Sequence, residues 1–220
     1  MLIQIADVLD AAAIQGLGEK LARMTWADGG ATAGWAAKLV KANEQAPPGD
    51  VTADALKRRL SEAIAANDVF QLAVRPKALS ALLISRYLPG MSYGAHVDDA
   101  LMGAMRSDVS FTLFLSDPAN YDGGELVIES AAGEMDVKLP AGALVVYPSG
   151  ALHRVAPVTR GTRFAAVGWA RSYVRGSEPR ELLFDLDTAR RALFAREGKS
   201  REFDLLSKCS ANLLRAWAED

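Results

Sequence analysis

The chain has one cysteine, Cys209, so no internal disulfide can staple it, and its fold must rest on a packed core. It has no apolar run long enough to span a bilayer. The start, MLIQIADVLD, lacks a basic segment followed by a long apolar one; Asp7 and Asp10 interrupt it, which argues against a signal peptide. Together with the lone thiol, this gives the expectation of a cytoplasmic protein with no membrane partner. There is also no basic excess: 25 Lys and Arg stand against 27 Asp and Glu, a formal charge of −2, so no electrostatic footprint for nucleic acid is present. Internal repeats and low-complexity tracts are absent. Histidine is nearly as scarce as cysteine. His96 and His153 are the only two in 220 residues, so imidazole chemistry has no other source.

Half of the residues are hydrophobic, enough for a substantial core in one large domain. Residues 2–5 read as a short strand. From Asp10 to Met24 the spacing of Ile14, Leu17, Leu21 and Met24 predicts a helix. Trp26 to Asp50 reads as a long excursion with one or two helical turns around Gly34–Asn43, of the kind that forms lids or connectors. Thr52 reads as the N-cap of a helix reaching about Asn67, with Leu56, Leu60 and Ile64 on its buried face. Val69–Ala73 suggests a short strand.

From about Leu79 the period changes to two. Leu79–Leu88, Arg106–Ser116, Glu125–Glu129, Met135–Leu139, Ala143–Tyr147, His153–Val158 and Arg163–Ser172 read as strands, and Asp122-Gly123 as a hairpin turn. Many short strands separated by Gly, Pro and Ser predict a sandwich or barrel. Glu178–Arg196 and Ser200–Ala218 then return to helical spacing. The fold class is therefore mainly β with flanking α. The expected division is a helical flank and lid at 1–77, a β core at 78–174 and a helical extension at 175–220, whose amphipathic helices could also form a homodimer face.

Within the β core, Tyr93-Gly94-Ala95-His96-Val97-Asp98 places a histidine two residues before a carboxylate. On extended backbone, such residues project to one face, while Asp99 turns away. A His-x-Asp pair alone is weak evidence. Joined by His153, several strands later, it makes two imidazoles and one carboxylate, a facial set that leaves coordination positions open and suits non-haem Fe(II). Arg163 follows on a strand of core character. A guanidinium buried there needs an anionic partner, such as a dicarboxylate co-substrate.

Several segments carry a resemblance: Tyr93-x-x-His96-Val97-Asp98, Arg106-Ser107-Asp108-Val109-Ser110, Tyr121-Asp122-Gly123-Gly124-Glu125-Leu126, Lys138-Leu139-Pro140-Ala141-Gly142, Tyr147-Pro148-Ser149-x-x-Leu152-His153-Arg154-Val155 and Pro157-Val158-Thr159-Arg160-Gly161-x-Arg163. This pattern resembles the bacterial PKHD-type Fe(II)/2-oxoglutarate hydroxylases, relatives of prolyl and lysyl hydroxylases. Asp28-Gly29-Gly30-x-Thr32-Ala33-Gly34 and Val40-Lys41-x-Asn43-x-Gln45 look like the family's N-terminal region. Gly30 and Asp99 stand where the family commonly has Arg and Asn.

The resemblance implies a double-stranded β-helix (jelly-roll) core with N-terminal and C-terminal helices. It implies that His96, Asp98 and His153 are the metal and catalytic residues, that Arg163 binds the distal carboxylate of 2-oxoglutarate, and that Tyr87 assists it. The implied cofactors are Fe(II), 2-oxoglutarate, O2 and ascorbate, and the implied reaction is hydroxylation with succinate and CO2 as co-products. The substrate, a small molecule or a protein or peptide, is not named by any motif; the loops Trp26–Gln45 and Leu101–Ser107 are placed to select it. The competing reading is a cupin-like jelly-roll module that binds metal or ligand without turnover, which would not require Asp98 and Arg163. A demethylase acting on nucleic acid is disfavoured by the acidic balance, and a halogenase by Asp98 itself.

Overall fold

The computed structural model describes residues 1–220. Strand β1 (Ile3–Ile5) opens the chain, followed by helices α1 (Ala11–Gln15) and α2 (Leu17–Arg23). The single expected helix is thus broken at Gly16, whose N–H closes α1 on the Ile14 carbonyl; Leu17, Leu21 and Met24 are buried as the spacing predicts. The expected loop of 26–50 is more structured than its composition suggests. It holds β2 (Ala27–Asp28), two 3-10 turns at Gly29–Thr32 and Ala37–Val40, β3 (Lys41–Ala42) and β4 (Glu44–Gln45).

Helix α3 (Val51–Ala66) is capped by Asp50, not Thr52: the Asp50 carboxylate accepts the Ala53 N–H at 2.9 Å, leaving Thr52 within the first turn. Val69–Ala73 is not a strand but most of α4 (Asp68–Val74). The Asn67 side chain caps it by accepting the Phe70 N–H, and Phe70, Ala73 and Val74 bury one face. A cap plus tertiary burial here overrides the β preference of Val69 and Phe70.

The β region runs β5 (Pro76–Leu79), β6 (Leu83–Tyr87), β7 (Ser92–His96), β8 (Leu101–Met102), β9 (Met105–Arg106), β10 (Val109–Phe114), β11 (Tyr121–Gly123), β12 (Leu126–Ser130), β13 (Gly133–Val137), β14 (Leu144–Pro148), β15 (His153–Val155), β16 (Val158–Gly161) and β17 (Arg163–Ser172). Helices α5 (Ser177–Glu197) and α6 (Arg201–Trp217) close the chain. Asp122-Gly123 does not turn a hairpin into β12; β11 pairs with β16 instead.

Two antiparallel sheets form a jelly roll. The larger, of eight strands, runs β1-β14-β10-β17-β6-β4-β2, with β5 also on β17; the smaller runs β13-β12-β15-β7-β3. Strand alternation sorts the larger sheet's side chains. Val109, Phe111 and Leu113 of β10, Leu144 and Val146 of β14, and Ala166 and Ala170 of β17 face the helices α2, α3 and α4 in the main core. Phe164 also faces that layer, whereas Val167 and Trp169 line the cavity between the sheets, so β17 is two-sided and not uniformly core. On the inner side, Tyr87, Phe114, Val145 and Tyr147 meet Leu126, Ile128, Val137 and Val155 of the smaller sheet.

The C-terminal helices are anchored by one buried carboxylate. Asp187 of α5 pairs with Arg75 before β5 and with Arg190 at 2.8 Å, and the Ser210 hydroxyl of α6 donates to it at 3.2 Å. A buried charge so fully partnered fixes α5 and α6 against the body of the fold.

Candidate metal centre and co-substrate pocket

Strands β7 and β15 are adjacent in the smaller sheet, and their register sets His96 opposite His153. Asp98 lies just past the end of β7. Its Oδ1 is 3.9 Å from His96 Nε2 and its Oδ2 is 3.8 Å from His153 Nε2; taking one ligand atom from each of the three residues, all lie within 4.8 Å of one another. An ion bonded at about 2.1 Å reaches donors up to about 4.2 Å apart, so both carboxylate–imidazole pairs are within range of one ion.

The imidazoles are set for metal. His96 Nδ1 is 2.8 Å from the Gly94 carbonyl, and His153 Nδ1 is 3.0 Å from the Ala151 carbonyl. A carbonyl oxygen accepts only, so Nδ1 carries the proton and Nε2 keeps a lone pair facing Asp98. Burial, reinforced by the neighbouring His153, pushes the His96 pKa down to about 4, keeping the ring neutral near pH 7. Tyr93 stacks on the His96 ring at 3.6 Å between centroids, and Tyr147 meets His153 edge-on at 5.1 Å. The Ser110 hydroxyl stands 2.5 Å from Asp98 Oδ2 and 2.9 Å from Ser149 Oγ. With one proton to give, Ser110 donates to the carboxylate and accepts from Ser149.

Across the same cavity, on the larger sheet, lies Arg163. It is 1% exposed, forms no salt bridge, and its Nε has no hydrogen-bond partner. Its guanidinium carbon is 5.1 Å from the Tyr87 ring centre and 5.5 Å from that of Phe114; Tyr87 is its register partner on β6. A buried cation with no anion is costly unless a ligand supplies one. Gly124 makes room for it: a Cβ there would fall 2.9 Å from Arg163 Cδ, and its φ of 67° also favours glycine. Burial raises the Tyr87 and Tyr147 phenols above their usual range, so both stay protonated donors.

The cavity thus joins His96, Asp98, His153, Arg163 and Tyr87. Asp99 stands at its mouth, exposed, with its carboxylate over Gly34. Sequence reasoning singled out neither Ser110 nor Tyr93, Tyr147, Lys41 and Asn43, all of which line the cavity. The signal was present for all five: Tyr93, Ser110 and Tyr147 fall in the core segments that resemble the family, and Lys41 and Asn43 in the N-terminal one. Lys41 reaches over Tyr93 and donates to the Thr32 hydroxyl at 2.9 Å; burial brings its pKa down to about 8.

Two family models match the chain: the 2OG-Fe(II) oxygenase superfamily over residues 82–171, and the PKHD-type hydroxylase C-terminal domain over 178–219. A PKHD-type hydroxylase of Picosynechococcus sp. is 54% identical over 219 residues, covering 100% of both chains. Among solved structures, a Pseudomonas putida prolyl-4-hydroxylase is 25% identical with a TM-score of 0.57, covering 78% of this chain and 92% of that one. A Trichoplax adhaerens prolyl hydroxylase, in complex with a hypoxia inducible factor peptide fragment, has a TM-score of 0.56 at 13% identity, covering 83% of this chain and 86% of that one. The last likeness is one of fold.

Proposed function

The chain belongs to the PKHD-type hydroxylases of the 2OG-Fe(II) oxygenase superfamily, and from that premise we propose that His96, Asp98 and His153 hold its Fe(II) while Arg163, helped by Tyr87, holds the distal carboxylate of 2-oxoglutarate. The enzyme is an Fe(II)- and 2-oxoglutarate-dependent dioxygenase, an oxidoreductase. When bound, the iron supplies O2 activation: one oxygen atom enters a substrate C–H bond as hydroxyl, and the other enters succinate as 2-oxoglutarate loses CO2.

The residues of the chain set the geometry. Nδ1–H bonds to backbone carbonyls fix each imidazole, and Ser110 fixes the carboxylate. Tyr93 and Tyr147 cover the rings against water. Arg163 orients the co-substrate from the opposite sheet, so that its reacting end meets the triad. The observation that carries this reading is the buried, unpaired Arg163 sharing one cavity with the His-Asp-His cluster. A module that only binds metal has no use for that cation.

The test is succinate formation under air with Fe(II), 2-oxoglutarate and ascorbate. Wild-type protein is expected to form succinate and Arg163→Met to require far more 2-oxoglutarate, with Arg163→Lys between them because a point charge does not reproduce the fork. Removing one partner of a buried charged pair costs on the order of 3–5 kcal/mol. Absence of any 2-oxoglutarate consumption, or unchanged dependence in Arg163→Met, counts against the assignment.

Thr32, Gly34, Ala37, Asp99 and Met102 line the same cavity as the triad, and this reading puts the substrate against them. A protein or peptide substrate is the reading in keeping with the likeness to a prolyl-4-hydroxylase. In this reading residues 1–77 frame the mouth, 78–174 do the chemistry, and 175–220 brace the core and offer exposed Leu182, Phe194 and Leu205 to a second copy. The setting is cytoplasmic, in keeping with the free, exposed Cys209. No helix is long and apolar enough to cross a membrane.

A further inference from the structure

Asn43 is 4% exposed, and neither its Oδ1 nor its Nδ2 has a hydrogen-bond partner. A buried carboxamide with both ends unmet is rare, because each end loses its water without replacement. Its neighbour Gln45, equally buried, shows the contrast: Gln45 accepts from the Thr32 hydroxyl at 2.6 Å and donates to Ser85 at 3.2 Å. Asn43 lines the cavity that holds the triad and Arg163.

The sheet register places it. Glu44 pairs with Arg86 and Gln45 with Ser85, so the antiparallel step back sets Asn43 beside Tyr87. Tyr87 in turn pairs with Arg163. Asn43, Tyr87 and Arg163 therefore form one row across three neighbouring strands. The Tyr87 phenol feels both flanking groups: its pKa, raised by burial, is drawn back by the Arg163 charge and by the nearby Asn43 amide, which approaches the phenol as a donor without reaching hydrogen-bond geometry.

Asn43 is itself held. The Gly29 N–H donates to the Asn43 carbonyl at 2.9 Å, and a Cβ on Gly29 would fall 1.9 Å from Asn43 Oδ1. Oδ1 is thus seated against a glycine, which leaves Nδ2 as the end free to meet a ligand. An N–H donor in this row matches an acceptor. A carboxylate offers about four lone-pair positions, of which an arginine fork takes two and a phenol one.

We propose that Asn43 Nδ2 donates the remaining hydrogen bond to the distal carboxylate of 2-oxoglutarate, completing a cradle with Arg163 and Tyr87. This rests on the reading of Arg163 as the carboxylate anchor. Asn43 then selects for a dicarboxylate co-substrate over a 2-oxoacid lacking the distal group.

The test is calorimetric titration of the anaerobic Fe(II)-loaded protein with 2-oxoglutarate and, separately, with 2-oxobutyrate, which has no distal carboxylate. Asn43→Ala is expected to weaken 2-oxoglutarate binding about tenfold or more, the range for a hydrogen bond to a charged acceptor, and to leave 2-oxobutyrate binding unchanged. Asn43→Asp, which keeps the shape against Gly29, is expected to weaken 2-oxoglutarate further by setting a carboxylate against a carboxylate. Unchanged 2-oxoglutarate affinity in both variants overturns the proposal, and so does equal weakening toward both ligands, which reports damage to the fold. Arg163→Met separates the two readings: if it weakens 2-oxoglutarate while the Asn43 variants do not, only Asn43 is misassigned; if it has no effect, the anchor itself is wrong.

Discussion

His96 and His153 face each other across β7 and β15 with ring centroids 4.3 Å apart. Two imidazoles this close, each pinned through Nδ1, turn both Nε2 atoms toward the Asp98 carboxylate. That convergence is a property of strand register.

Metal is therefore expected to stabilise the folded chain selectively. A ligand at a hundred times its dissociation constant adds about 2.7 kcal/mol. Thermal unfolding should move up when Fe(II) is added anaerobically, and the shift should vanish in His96→Ala and in His153→Ala, because the sequence has no third histidine to substitute. A full shift and one iron per chain in either variant would remove that residue from the ligand set.

Ser110 gives a second expectation. It touches Asp98 but is not one of the donor atoms, and its hydroxyl orients the carboxylate at 2.5 Å. Partners of this kind are worth roughly ten- to a hundredfold in metal affinity. Ser110→Ala should weaken Fe(II) binding by about that factor with the circular dichroism spectrum unchanged. Wild-type affinity in Ser110→Ala would show that Asp98 holds its orientation without the hydroxyl.

Stability in acid should depend on Asp50. The carboxylate accepts the Thr25 N–H at 2.9 Å, the Thr25 hydroxyl at 2.7 Å and the Ala53 N–H at 2.9 Å, and these bonds, the Thr25 backbone one foremost, lower its pKa from 3.8 to about 2. A carboxyl depressed by folding stabilises fully above its unfolded pKa and loses that contribution as pH falls through its folded one. Asp50→Ala should be less stable than wild type near neutral pH, with the gap in melting temperature closing between pH 3.8 and about 2. A gap that stays constant over that window would mean that the charge contributes nothing.

How far the sequence could be read depended on where each residue's partners lie. Strand β10 was plain, because Val109, Phe111 and Leu113 alternate with Ser110, Thr112 and Phe114 and both faces are buried. The triad was legible for a related reason: scarcity left His96 and His153 without competitors. The segment 26–50 was legible only in the helical turn expected around Gly34–Asn43, which is the 3-10 turn Ala37–Val40. Its strands are two residues each, too short for any period, and they exist only because β7 and β6 offer edges to β3 and β4. Asn43, between those two strands, therefore read as the end of a helical turn. Likewise α4 resembled a strand until the Asn67 cap and the burial of Phe70 decided it.

The sharpest division between an oxygenase and a passive binder falls on Asp98. A carboxylate in the facial set offsets the ion's charge and confines protein donors to one side, leaving the other side for 2-oxoglutarate and O2. A binder needs neither. Asp98→Ala should keep its fold, since Asp98 lies beyond the end of β7 and outside both apolar clusters. It should lose succinate formation almost entirely. Asp98→Glu should be poor as well: one added methylene moves the oxygen by more than the few tenths of an ångström that a ligand bond tolerates. Asp99→Ala should be mild, because the Asp99 carboxylate stands over Gly34 at the cavity mouth, away from the imidazoles. The measurement is succinate formed under air with Fe(II), ascorbate and 2-oxoglutarate, with folding checked by circular dichroism. Loss of activity in Asp99→Ala with retention in Asp98→Ala would reverse the assignment of the two carboxylates, and the metal would then have to be sought with a different donor set.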